Sequence, residues 1–112
     1  MKTTDVVSAL SALAQDSRLS IFRTLVQAGS AGLPAGKIGE ATQTAPSSIT
    51  FHMKELVRAD LVSSRNEGRF VIYTANFETM NAVLEFLTQN CCGGNACTPS
   101  HLICSPLETK ES

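Results

Sequence analysis

Apolar positions along this chain recur with two different periods, and the change of period outlines the fold. Val6, Leu10 and Leu13 stand at i, i+4 and i+7 with Val7 and Ala14 beside them, the stripe of a first helix over residues 5 to 15. Asp16 is a candidate cap for a second helix, whose broad apolar face is Leu19, Ile21, Phe22, Leu25 and Val26 and whose end is marked by Gly29. Gly32-Leu33-Pro34 reads as a turn with a proline suited to a helix start, and Ile38 and Ala41 mark a short third helix. Thr44 is a candidate N-cap, Pro46 fits a first turn, and Ile49, Met53, Leu56 and Val57 form the stripe of a fourth helix.

The period then drops to two. Leu61 to Arg65 and Arg69 to Thr74 predict two strands around Asn66-Glu67-Gly68, with Phe70 and Ile72 on one side and Val71 and Tyr73 on the other. Arg65 and Arg69 fall at the tip of that hairpin. From Phe77, the residues Met80, Val83, Leu84 and Leu87 restore the helical period in a fifth helix ending near Asn90. Cys91-Cys92-Gly93-Gly94 and an aperiodic tail follow. The expected chain is mainly α with a β-hairpin wing, five helices plus a two-stranded hairpin. It divides into a helical unit over residues 1–90 and a cysteine-containing tail over residues 91–112.

A short helix, a tight turn and a second helix with a polar face make a helix-turn-helix, and the hairpin directly after it makes a winged one. Off the apolar stripe of the fourth helix stand Ser47, Ser48, Thr50, Phe51, His52, Lys54 and Arg58, short polar, aromatic and basic groups available for exposure and able to meet base edges or phosphates. The first six, with Arg65 and Arg69 on the wing, are the candidate DNA-binding residues. Each has a simpler reading: the fourth helix as an ordinary amphipathic surface helix, Phe51 packing on the third helix instead of touching a thymine methyl, His52 capping or at the edge of the core, and the wing arginines keeping a hairpin soluble. Arg18, two residues after Asp16, reads as a structural ion-pair partner.

The overall charge at first argues against a polyanion partner, because nine Lys and Arg face ten Asp and Glu for a net −1. Its distribution reverses that inference. Residues 37–73 carry Lys37, Lys54, Arg58, Arg65 and Arg69 against Glu40, Glu55, Asp60 and Glu67, whereas residues 76–112 carry only Lys110 against Glu78, Glu85, Glu108 and Glu111. The acidic excess is at the C-terminal end, leaving the middle free for a basic patch. At 112 residues the chain is one small domain that gains by hiding further apolar area in a homodimer. Its apolar runs are too short to span a bilayer and no export leader is apparent, so a cytoplasmic protein without a membrane partner is expected.

Three stretches resemble the ArsR/SmtB family of repressors. Ala14-Gln15-Asp16-Ser17-Arg18-Leu19 is similar to the family's opening signature. Pro46 to Leu56 with Ala59-Asp60-Leu61-Val62 resembles its recognition helix and exit, and Arg65 to Tyr73 resembles its wing. The resemblance spans roughly residues 5 to 92. It implies a homodimer built through the first and fifth helices that binds double-stranded operator DNA without a cofactor and represses a metal-resistance operon until an ion binds. The Cys-x-Cys motif of many arsenic-sensing members has no counterpart in Leu33 to Thr42, and the fifth helix lacks the Asp and His pairs of the zinc-sensing branch.

All four cysteines lie at the C-terminal end, where a disulfide could only staple the tail to itself. Cys91, Cys92 and Cys97 have the spacing Cys-Cys-x4-Cys around a diglycine. Soft thiolates select soft ions, and trivalent arsenic or antimony, which keeps a lone pair, suits three of them. Asn90-Cys91-Cys92-Gly93 also resembles the C-terminal arsenic site of one branch of the family. The expected effector is therefore As(III) or Sb(III). The alternatives are a thiol-redox pair, or a zinc or cadmium site of four ligands, Cys97, His101 and Cys104 with one of Cys91 and Cys92. An enzyme with a nucleophilic cysteine is not expected, because a helix C-terminus disfavours a thiolate.

Overall fold

The computed structural model describes residues 1–89. The chain runs α1 (Thr3–Leu13), α2 (Asp16–Ala28), a 3-10 turn (Gly29–Ala31), β1 (Leu33–Pro34), α3 (Ala35–Thr42), α4 (Pro46–Arg58), β2 (Val62–Glu67), β3 (Phe70–Ala75) and α5 (Phe77–Thr88). The five helices and the hairpin fall where the periodicity puts them, and the fold is a winged helix-turn-helix. Ile21, Leu25, Ile38, Ile49, Leu56, Leu61 and Val62 are fully buried, so the core is shared by α2, α3, α4 and the root of the wing. Phe22, Met53 and Ala75, with Val6 and Ala9 of α1 and Val83 of α5, complete it.

The sheet has three strands, not two. β3 is central, with β2 antiparallel on one side and the two-residue β1 on the other, pairing Leu33 with Tyr73 and Pro34 with Ile72. A segment this short carries no alternation to reveal it, and Pro34 is tolerated because β1 lies at the sheet edge. In the hairpin, Asn66 pairs with Val71 and Glu67 with Phe70, so the turn is Gly68-Arg69, one step later than Asn66-Glu67-Gly68. Gly68, at φ +63°, takes the first position of a two-residue turn, where glycine is favoured.

Two expected caps also move by one residue. Gln15, not Asp16, precedes α2, and its side-chain oxygen accepts from the Arg18 N–H at 2.9 Å while Asp16 becomes the first helical residue. α4 begins at Pro46 after Ala45, and the Thr44 hydroxyl instead meets that of Thr42 at 2.8 Å. α5 stops at Thr88, slightly before the expected end. Val7 and Leu10 on α1 and Leu87 on α5 stay exposed although apolar.

Candidate nucleic-acid interface

The turn between α3 and α4 is tight. Gln43 adopts a left-handed conformation at φ 54°, and the Thr44 N–H donates to the Gly39 carbonyl at 3.0 Å. α4 follows with Ile49, His52, Met53 and Leu56 facing the core. At 100° per residue the opposite side of the helix is Ser47, Phe51, Lys54 and Arg58, spaced i, i+4, i+7 and i+11. All four are exposed, as are Ser48 and Thr50 on the flanks. The Thr50 hydroxyl donates to the Pro46 carbonyl at 3.2 Å, and Arg58 reaches Glu55 at 2.6 Å. Among the described residues no carboxylate pairs with Lys54 or Arg69.

His52 does not share this face. It is only 9% exposed and stands three residues after Ile49 and four before Leu56, so its ring turns into the molecule. Nη1 of Arg18 approaches its Nδ1 at 3.4 Å, and Nε of Arg18 donates to the Ala12 carbonyl at 2.7 Å. A guanidinium has only donors, so Nδ1 accepts and the neutral ring carries its proton on Nε2. Burial, and after it the Arg18 charge, hold the His52 pKa below its ordinary 6.5. Arg18 is thus a structural residue as expected, through a carbonyl and an imidazole and not through Asp16.

The wing arginines also part company. Arg65 is engaged: its Nε donates to Glu67 at 2.7 Å, and its terminal nitrogens donate to the Ser30 and Ala31 carbonyls at 3.2 and 2.9 Å. It ties β2 to the 3-10 turn while its side chain stays 43% exposed on the wing. Arg69 is exposed in the turn itself, beside exposed Phe70.

Arg58, off the apolar stripe as its spacing implies, extends the outer row of α4. One feature carries no signal in the spacing. Asp60, at φ 64°, ends α4 and latches it to α5: its carbonyl accepts from the Asn76 amide at 3.1 Å, and its carboxylate from the Thr79 hydroxyl at 3.3 Å. Asn76 in turn caps α5 by accepting from the Thr79 N–H at 3.2 Å. The expected effector ligands Cys91, Cys92 and Cys97, with Cys104 and His101, lie outside the described residues. Among the described residues no group of three or more His, Cys, Asp or Glu is gathered as a metal site. No helix among them is long and apolar enough to cross a membrane.

Residues 13–65 match a family described as a helix-turn-helix domain. The chain is 32% identical over 73 residues to an uncharacterized HTH-type transcriptional regulator, YceK, of Bacillus subtilis strain 168, covering 65% of this chain and 72% of that protein. Its fold is similar to that of an ArsR-like transcriptional regulator from Rhodococcus sp. RHA1, with a TM-score of 0.69 at 24% identity over 77% of this chain and 78% of the other. It is also similar to the homodimeric winged helix-turn-helix DNA-binding domain of Mb0332 from Mycobacterium bovis, a possible ArsR-family regulator. There the TM-score is 0.62 at 22% identity, over 86% of this chain and 89% of the other.

Proposed function

The chain belongs to the helix-turn-helix transcriptional regulators, DNA-binding proteins and not enzymes, and has the winged fold of the ArsR/SmtB group; from that premise we propose that it is a cytoplasmic, homodimeric repressor released from its operator by As(III) or Sb(III). The observation that carries the DNA-binding half is the outer stripe of α4. Ser47, Phe51, Lys54 and Arg58 point directly away from the buried face, with Ser48 and Thr50 beside them and Arg69 on the adjoining wing. A helix so presented fits a major groove, its hydroxyls reaching base edges or phosphates and its cations the backbone. His52 lies behind this surface on the core side of α4, and Arg65, exposed on β2, adds a cation to the wing that is already tied to the 3-10 turn.

Dimerisation through α1 and α5 is favoured by their exposed Val7, Leu10 and Leu87, and the Mb0332 domain sets a precedent. Two α4 helices held by such a dimer would meet successive major grooves of a palindromic operator. Cys91, Cys92 and Cys97, just beyond α5, supply three thiolates, a donor set that suits a trivalent metalloid. The Asp60, Asn76 and Thr79 latch gives α5 a direct hold on the end of α4, so a change at the far end of α5 could alter how α4 is presented. Coupling of this kind is reciprocal: operator DNA must weaken metalloid binding by the same factor.

The test is fluorescence anisotropy of the full-length chain on a duplex from its own upstream region, titrated with arsenite while free thiols are counted. Release of the duplex with loss of three thiols per bound ion is expected. Cys91→Ser, Cys92→Ser and Cys97→Ser should bind DNA without responding, and Cys104→Ser should respond normally. Arsenite that leaves the complex intact would end the metalloid reading, and equal failure of Cys104→Ser would point to a four-ligand site.

A further inference from the structure

Phosphate binding explains the cations of the α4 stripe and says nothing about the phenyl ring one turn before them. Phe51 is 55% exposed, at the centre of a row otherwise made of Ser47, Lys54 and Arg58. Charged and hydroxyl neighbours make this a poor dry protein interface, since interface cores are depleted in charged residues. The ring is also not free to wander. It meets His52 edge to face, with centroids 5.6 Å apart and planes at 62°. His52 is buried against Arg18, which is itself fixed to the Ala12 carbonyl. The phenyl ring thus has the His52 imidazole against it in an edge-type contact while 55% of the residue stays exposed.

The major groove offers such a ring one apolar partner, the 5-methyl group of thymine. We infer that Phe51 is a specificity-determining residue that packs on a thymine methyl in each operator half-site, with His52 and Arg18 as positioning residues that set its ring beforehand. The inference rests on the reading of α4 as a major-groove helix and adds to it the base that is read and the atom by which it is read. Stacking on a base face, the other use of an exposed aromatic, requires an unpaired base that an intact duplex does not present.

The test uses the full-length chain and the duplex it enriches from a random pool. Each thymine of that duplex is replaced singly by deoxyuridine, which deletes only the methyl group, and Kd is measured by anisotropy. Replacement at one thymine per half-site should weaken wild-type binding about fourfold, the equivalent of one buried carbon. Phe51→Ala should bind more weakly overall and show no loss at that thymine. Phe51→Gln, a polar side chain suited to an exposed helical position, should behave in the same way and guards against a folding defect in the alanine variant. A Phe51→Ala protein that keeps the full deoxyuridine effect would overturn the assignment, as would a wild-type protein indifferent to every replacement. Failure to enrich any duplex would overturn the DNA-binding reading itself and this assignment with it.

Discussion

Gly29 and Gly32 bracket the 3-10 turn and provide a matched pair of perturbations. Their backbones are nearly alike, φ 70° and ψ −155° at Gly29, φ 69° and ψ −174° at Gly32, a region that is essentially closed to residues with a Cβ. Alanine at either position therefore costs about 1–3 kcal/mol in backbone strain. The surroundings differ. A Cβ at Gly29 meets nothing within 4 Å, whereas one at Gly32 falls 2.5 Å from the Tyr73 carbonyl oxygen, 2.6 Å from Thr74 Cγ2 and 2.8 Å from Ile72 Cγ2. Backbone of the central strand cannot swing aside as a side-chain tip can, and overpacking of this kind adds about 1–3 kcal/mol. Gly32→Ala should thus lose about 2–6 kcal/mol and Gly29→Ala about 1–3, out of the roughly 5–15 kcal/mol that holds a domain together. Urea unfolding at one fixed protein concentration separates the two, because an oligomer's midpoint depends on concentration. With m of about 2 kcal/mol/M, the Gly32 variant should unfold at a midpoint lower by a further ~0.5–1.5 M. A Gly32→Ala midpoint equal to or above that of Gly29→Ala would refute the claim that close approach to β3 makes position 32 special.

The wing arginines should separate by salt dependence. Arg69→Ala should flatten the slope of log K against log salt by about one, as for a lost phosphate contact, while Arg65→Ala should lower affinity with the slope unchanged. The reverse pattern would make Arg65 the phosphate contact of the wing. His52 predicts a pH effect. Its folded-state pKa is depressed, so the unfolded chain takes up a proton first as pH falls below about 6.5, and the stability present above that pH is lost on the way down to the folded pKa. Urea midpoints at about pH 7.5 and pH 5.5 should fall further for wild type than for His52→Gln, and equal falls would sink the idea. Thr79→Val keeps the shape of the side chain but removes its hydrogen bond to Asp60. It should bind operator normally yet release poorly with arsenite, and an unaltered response would take the latch out of the coupling path.

Legibility followed the range of the interactions involved. The helices could be read from spacing because their apolar stripes are local, and so could the polar face of α4. The apolar spacing nonetheless takes in Val57, which is exposed, and leaves His52 open between a DNA-facing and a core-edge position, of which the buried one holds. An imidazole counts as polar in any pattern, and what makes it a core residue is Arg18, 34 positions away. The bonds that tie Arg65 down are illegible for the same reason, since the carbonyls of Ser30 and Ala31 that accept them come from a distant turn. β1 is too short to show a period and exists because β3 offers it an edge. The cap at Gln15 shows a smaller effect, in which Asp16 had the favoured side chain but the neighbouring residue reached the free N–H first.

The two residue pairs of β1 have a consequence for how the molecule is made. Leu33 with Tyr73 and Pro34 with Ile72 close a ring that contains α3, α4 and β2. Synthesis is directional, so both helices of the reading unit leave the ribosome before the strand that fastens them exists. The long closure also costs chain entropy before it yields any contact. Helix α4 is therefore complete in sequence long before it is complete in position. A nascent chain halted short of Ile72 carries every group of the α4 stripe and lacks the clasp that aims it.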